Sequence, residues 1–153
     1  EILYIEKIES KRPIQPGTRV GMRLPALTTA MGRAMIAFEC TDYREFEARF
    51  ANALFPRTPN APHSLQEEWE RILEVHKNGF GVDRGENVEG LTAVAVPILS
   101  DGRPVAAVSA VSLTSDGANL EEHAKQIRMG LKTVLNWPLH IPQPKIDNQT
   151  IKG

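Results

Sequence analysis

Two adjacent runs, Leu91–Leu99 and Pro104–Leu113, constrain this chain more than anything else in it. Both are rich in Val and Ala, and Asp101-Gly102 stands between them. Val suits a pleated, half-buried surface, and Asp-Gly supplies the positive φ angles of a tight two-residue turn. A β-hairpin is predicted, and with it an antiparallel sheet. A further strand is expected near Phe80–Val82.

Helix signals fill the middle of the chain. Thr28 and Thr29 stand before Ala30–Phe38, where a Thr hydroxyl caps an otherwise unpaired amide. Asp42 opens a second helix with a weak capping box to Glu45, and Tyr43, Phe46, Phe50 and Leu54 form one stripe. Pro56, Pro59 and Pro62 make the next stretch a loop. Ser64-Leu65-Gln66-Glu67 is a capping box, its carboxylate expected to reach back to the cap. Leu65, Trp69, Ile72, Leu73 and His76 should share a helix face that ends at Asn78-Gly79. The last helix is expected over Leu120–Trp137, with Leu120, Ala124, Ile127, Leu131, Val134 and Leu135 on its buried side.

At the start, Ile2–Ile8 alternates as a strand, Lys11–Gly17 reads as a turn and Thr18–Met22 as a second strand. The order β-β-α-α-α-β-β-β-α argues for an α+β domain, an antiparallel sheet with helices on one face or both. One domain is expected over 1–137. Pro138, Pro142 and Pro144 make 138–153 a tail, extended or disordered.

Composition excludes several classes. With 18 Lys+Arg against 19 Asp+Glu, a net charge of -1 gives no general attraction for nucleic acid or anionic membrane. Cys40 is the single cysteine, so a disulfide framework is excluded and a reducing cytoplasm is the expected compartment. No apolar run approaches the roughly 20 residues of a membrane helix, and no membrane partner is expected. The chain opens at Glu1, in mid-pattern and without a signal peptide, as a piece cut from something longer would.

Catalytic patterns are missing. The sequence holds neither a G-x-S-x-G elbow nor a G-x-x-x-x-G-K-[ST] phosphate loop. Gly79, Gly81 and Gly85 miss the dinucleotide spacing by one residue and read as a helix exit and turn. His63, His76, His123 and His140 do not pair at helical spacing, so neither metal nor cofactor is expected. His76 reads as a packing residue and Cys40 as a small buried hydrophobe. Lys7, Lys11, Arg12, Arg19 and Arg23 are interrupted by acids and suit a solvated sheet edge. What stays is Thr28-Thr29-Ala30-Met31-Gly32, a helix start of little bulk. It serves either an anion at its free amides or close packing against a neighbour.

Three segments together resemble the effector-binding domain of the IclR family of bacterial transcriptional regulators. They are residues 23–38 (RLPALTTAMGRAMIAF), residues 79–91 (GFGVDRGENVEGL), and Pro97-Ile98-Leu99 followed by residues 101–109 (DGRPVAAVS). The similarity spans roughly Tyr4 to Trp137. It implies a fold related to GAF and PAS sensors: a curved antiparallel sheet flanked by helices. It also implies a homodimer or tetramer, and DNA contacted only through an N-terminal winged helix-turn-helix that this chain lacks. No catalysis is expected; the implied partner is a small-molecule carboxylate.

Carried over by position, the resemblance puts Ala30 and Met31, with the capping Thr29, where the helix start meets the ligand. Asp83 matches a polar residue on a loop over the pocket, Leu91 and Ala93 the strand leaving it, and Ser109 the first of two ligand-binding serines. The sequence departs from the family at Leu27, where many members have His, at Arg33, usually Lys, and at Val111, the second serine. Val111 and Met31 make the expected effector a larger or more apolar carboxylate than a tiny polar acid, aromatic acids among the candidates. Two other readings remain open: a GAF-like enzyme of the methionine sulfoxide reductase type using Cys40, and a dimerisation module without a ligand.

Overall fold

The computed structural model describes residues 1–9 and 17–143. At its centre is the expected hairpin: β4 (Leu91–Ser100) and β5 (Arg103–Leu113) pair antiparallel, with one register shift at Ile98/Leu99. Asp101 at φ 50° and Gly102 at φ 77° make the turn, both in the left-handed region that Asp-Gly tolerates. β3 (Gly81–Arg84) pairs antiparallel with β4 on its other side.

Alternation along β4 sends side chains to opposite faces. Ala93 and Ala95 point toward α1 (Ala30–Ile36), packing with Ala30, Ala34 and Met31. Val94 and Val96 face the other way, onto Leu120, Ala124 and Leu131 of α4 (Leu120–Val134). Helices therefore cover both faces of the sheet. A second core gathers Leu27, Ile36, Phe46, Trp69, Ile72 and Val75 where α2 (Tyr43–Phe50) and α3 (Leu65–Asn78) pack beside α1. Phe46 is its centre, with ring centroids 5.2 Å from both Phe50 and Trp69.

The caps form with one refinement. Thr29, Asp42 and Ser64 accept from the amides of Gly32, Glu45 and Glu67. The returning carboxylates reach one residue further back than the cap: Glu45 accepts from the Thr41 amide at 2.9 Å, Glu67 from the His63 amide at 2.8 Å. Gly79, at φ 75°, ends α3 as expected.

Several expectations need correction. The opening strand is only β1 (Ile2–Leu3), and Ile5 and Ile8 are exposed. Its partner is β2 (Arg23–Leu24), not Thr18–Met22. Those residues curl instead, because Gly21 takes φ 84° and the Met22 amide donates to Arg19. The turn expected over Lys11–Gly17 lies largely outside the described residues. In α3 the buried face is Glu68, Trp69, Ile72 and Val75; Leu73 is exposed, because a charged residue occupies the face it was counted on. α4 stops at Val134, which is exposed, short of Trp137, whose place before Pro138 disfavours helical backbone. Beyond it, β6 (Leu139–His140) pairs with β4 and Ile141 is buried against the α4 core. The described part of the stretch expected as a tail is thus docked on the sheet; residues 144–153 lie outside the description.

Candidate functional site

A cavity of about 200 Å³ opens where the first turn of α1 meets the sheet. α1 lies very close there because β3 passes beneath it at Gly81, where a methyl would collide with the Ala30 carbonyl and come 2.9 Å from the Ala34 nitrogen. Gly32 is likewise pressed against the backbone of Ala26. The small residues of this segment therefore serve close packing, and only the outermost ones reach the cavity.

Thr29, Ala30 and Met31 form one wall. The Thr29 hydroxyl is committed, accepting from Gly32 at 3.2 Å and donating toward the Pro25 and Ala26 carbonyls. The amides of Ala30 and Met31, first in the helix, have no preceding helical carbonyl to serve. Leu91 and Ala93 from β4, with Ser109 and Val111 from β5, line the sheet side. The register sets Ala93 opposite Val111 and Ala95 opposite Ser109, which keeps these positions on one face. Asp83 closes the β3 end. The structure thus brings all eight sequence-derived positions to one cavity.

It also brings residues that sequence reasoning missed. Tyr4, Met22 and Leu24 come from the N-terminal ribbon, Asn87 and Val88 from the β3–β4 loop, and Arg57 from the proline-rich loop. Arg57 is held there by its neighbour: the Thr58 hydroxyl donates to the Gly85 carbonyl at 2.7 Å, tying the two loops together. Nothing local in the sequence announces that tie.

Asp83 is 7% exposed, and its Oδ1 accepts from the amides of Glu86 at 2.8 Å and Asn87 at 3.4 Å. Burial nevertheless pushes its carboxyl up to about 6, with the Glu86 charge adding to the rise and the amides and Arg33 opposing it. Because this lies above the unfolded value near 3.8, the linked stability is complete below about pH 4 and lost as pH rises through 6. Burial, and then the Asp83 charge, also raises the Tyr4 hydroxyl.

Behind Asp83 sits a buried ion cluster. Arg33 grips Glu68 with Nε and Nη2, both at 2.7 Å, while Nη1 donates to the Val82 carbonyl at 2.7 Å and to Glu86. Arg71 holds the other Glu86 oxygen at 2.8 Å. Burial works against the Arg33 charge, but Glu68 and Glu86 outweigh it and raise its pKa. Glu68 is pushed up to about 7 by burial against the pull of Arg33. The departure from Lys at this position has a physical meaning: a guanidinium fork reaches two carboxylates and a carbonyl at once, which one ammonium does poorly. The cluster anchors to α1 and α3 both β3, on which Asp83 stands rather than on the loop expected for it, and the following loop with Asn87 and Val88. Of the other two departures, Leu27 lies in the second core and Val111 lines the cavity.

The remaining sequence candidates are structural. His76 packs on Phe38 with ring centroids 5.3 Å apart, and Cys40 is buried in the second core. Burial first, then the Glu45 charge, raises the Cys40 thiol, which makes it a poor nucleophile. Among the described residues, no group of three or more His, Cys, Asp or Glu could hold a metal ion, and no helix is long and apolar enough to cross a membrane.

Comparison with known proteins places this arrangement. The family model described as "Bacterial transcriptional regulator IclR C-terminal" matches residues 1–135. The chain is 32% identical over 145 residues to the HTH-type transcriptional regulator XynR of Escherichia coli, covering 90% of this chain and 57% of XynR. It spans about half the length of the curated relatives it matches. The crystal structure of Thermotoga maritima IclR is 28% identical with a TM-score of 0.76, over 85% of this chain and 53% of that one. An IclR homolog from Microbacterium hydrocarbonoxydans, complexed with 4-hydroxybenzoate, shares the fold at 23% identity and a TM-score of 0.69, over 86% of this chain and 56% of that one. The curated relatives are named as transcriptional regulators, and the domain is regulatory, not catalytic. The α+β fold, with helices on both faces of an antiparallel sheet, is the one these structures share, and the chain belongs to the IclR family of bacterial transcriptional regulators as their C-terminal domain.

Proposed function

We propose that the cavity at the start of α1 binds a small aromatic monocarboxylate. Its binding alters operator binding by an intact cytoplasmic regulator, a homodimer or tetramer that contacts DNA through an N-terminal winged helix-turn-helix. The carrying observation is the cavity itself: about 200 Å³, largely apolar, with few polar groups converging on it. An apolar cavity of roughly 150 Å³ accepts benzene, so this one has room for a ring and a carboxylate, and a two- or three-carbon acid would leave it mostly empty. The free amides of Ala30 and Met31, the Ser109 hydroxyl and the Arg57 cation are the groups a carboxylate would use. The 4-hydroxybenzoate bound by the Microbacterium hydrocarbonoxydans homolog supports the same ligand class.

Calorimetry with benzoate, 4-hydroxybenzoate, glyoxylate and pyruvate tests the reading. The aromatic acids should bind, and at 100 times its dissociation constant such a ligand adds about 2.7 kcal/mol to stability. Ser109→Val should weaken binding about tenfold, the worth of one hydrogen bond to a charged group, without unfolding the domain. Binding of glyoxylate or pyruvate alone would contradict the aromatic assignment; no binding of any acid would leave a dimerisation module.

Asp83 adds a pH dependence. Above about pH 6 it is ionised beside an anionic ligand; below that it is neutral. Affinity for benzoate should therefore tighten, by up to about tenfold, as pH falls from 7.5 to 5.5. In Asp83→Asn that slope should vanish. A wild-type affinity that is flat over this range would show that Asp83 does not sense the ligand's charge.

A further inference from the structure

We propose that Arg57 is the residue by which the cavity tells a carboxylate from a neutral ligand of the same shape, so that the bound acid lies ring inward with its carboxylate at the rim. This rests on the effector reading above and deepens it by naming the one group that selects the ligand's charge. Among the described residues lining the cavity, Arg57 is the single cation. It is exposed, so a ligand entering from solvent reaches it, and it makes no hydrogen bond or ion pair among those residues. Arg33 and Arg71, by contrast, are committed to Glu68 and Glu86. The Arg57 backbone is also placed in advance. Pro56 and Pro59 flank it, the Thr58 hydroxyl donates to the Gly85 carbonyl at 2.7 Å, and the Ala61 amide donates to the Thr58 carbonyl at 3.1 Å. Ala61 and Pro62 are buried behind it. A loop ordered before the ligand arrives loses less affinity to ordering.

The other polar groups at the cavity do not make this distinction. The Ser109 hydroxyl and the amides of Ala30 and Met31 are neutral donors. Such a donor bonds a carboxylate more strongly than an amide oxygen, but the carboxylate gives up more water to reach it, and the two effects oppose. α1 adds little charge of its own, being seven residues long with Ala30 2% exposed. Asp83, the single acid among the described lining residues, repels an anion when ionised. A full positive charge tips this balance, and a guanidinium fork takes both carboxylate oxygens at once. Met31, Leu91, Ala93 and Val111 are left to take the ring.

The experiment is titration calorimetry of this chain with benzoate and benzamide, which differ in charge but hardly in shape, repeated on Arg57→Met. It is run at pH 5.5, where benzoate is ionised and Asp83, pushed up to about 6, is largely neutral. Wild type should bind benzoate about tenfold or more tightly than benzamide, the worth of a hydrogen bond to a charged group. Arg57→Met should lose that preference while binding benzamide as wild type does, which also reports that the variant is folded. Equal wild-type affinity for the two overturns the inference while leaving the cavity a ligand site, and that comparison needs no variant. A benzoate preference that survives in Arg57→Met overturns it too and returns the carboxylate to the start of α1. An equal loss of both ligands in the variant makes Arg57 a structural residue and overturns it as well. Binding of neither to wild type overturns the effector reading, and this inference with it.

Discussion

Arg33→Met is expected to destabilise the domain by about 3–5 kcal/mol, the usual cost of removing one partner from a buried ion pair. The size follows from what the guanidinium serves. Glu68 is fully buried and Glu86 is 5% exposed, and Arg33 neutralises both while satisfying the Val82 carbonyl. Without it, Arg71 still holds one oxygen of Glu86, but Glu68 has no cation within hydrogen-bond distance among the described residues. Domains have only about 5–15 kcal/mol in hand, so the variant should sit near the edge of unfolding. The loss must also depend on pH. Glu68 already titrates near 7, above its unfolded 4.5, so its proton-linked stability is complete below about pH 4.5 and is lost as pH rises through 7. Removing Arg33 raises that folded value further. The deficit in Arg33→Met should therefore be smallest near pH 5 and grow toward pH 8, and adding Glu68→Gln should recover part of it. Urea unfolding at the two pH values decides. A loss below 1 kcal/mol, or one equal at both, would mean the cluster is solvated and contributes little.

That cluster also marks where sequence reading stops. The hairpin was legible because Asp101-Gly102 and the Val-rich runs are local signals, and the α1 start because Thr29 caps Gly32 three residues on. The helix start at Thr29 to Met31 was visible as a pattern, but Ser109 and Val111 entered only through the family resemblance; period-two alternation explains why the two share a strand face. The charged core was not legible. Arg33 stands in a run of small and apolar residues, and Glu68 sits at helical spacing from Ile72 and Val75, yet counting only apolar positions shifted the α3 face onto the exposed Leu73. Arg57 and Asn87 failed for another reason. They belong to loops whose place is set by tertiary hydrogen bonds, Thr58 to Gly85 and Asp83 to the amides after it. Sequence periodicity carries no information about such contacts.

Two glycine substitutions of identical chemistry should move stability in opposite directions. Within a helix, Ala is favoured over Gly by about 0.8–1.0 kcal/mol, so propensity alone predicts that both Gly32→Ala in α1 and Gly130→Ala in α4 stabilise. Packing separates them. A methyl at Gly130 meets nothing within 4 Å, and Gly130→Ala should raise stability by about 0.5–1 kcal/mol. A methyl at Gly32 would overlap the Ala26 carbonyl oxygen and lie 2.5 Å from the Cα and carbonyl carbon of that residue. Backbone cannot rotate away as a side chain can, so α1 must lift from the segment before it. Overpacking of a well-filled core costs about 1–3 kcal/mol when side chains absorb it, and here none can, so a loss of about 3 kcal/mol or more is expected. Lifting α1 also shifts Arg33, the next residue, from Glu68 and Glu86, and moves Ala30 and Met31 at the cavity wall. Gly32→Ala should accordingly lose stability and benzoate affinity together, while Gly130→Ala gains stability with affinity unchanged. Equal and favourable shifts in melting temperature for the two variants would show that α1 is not pressed against Ala26, and that the cavity wall is not held by close packing.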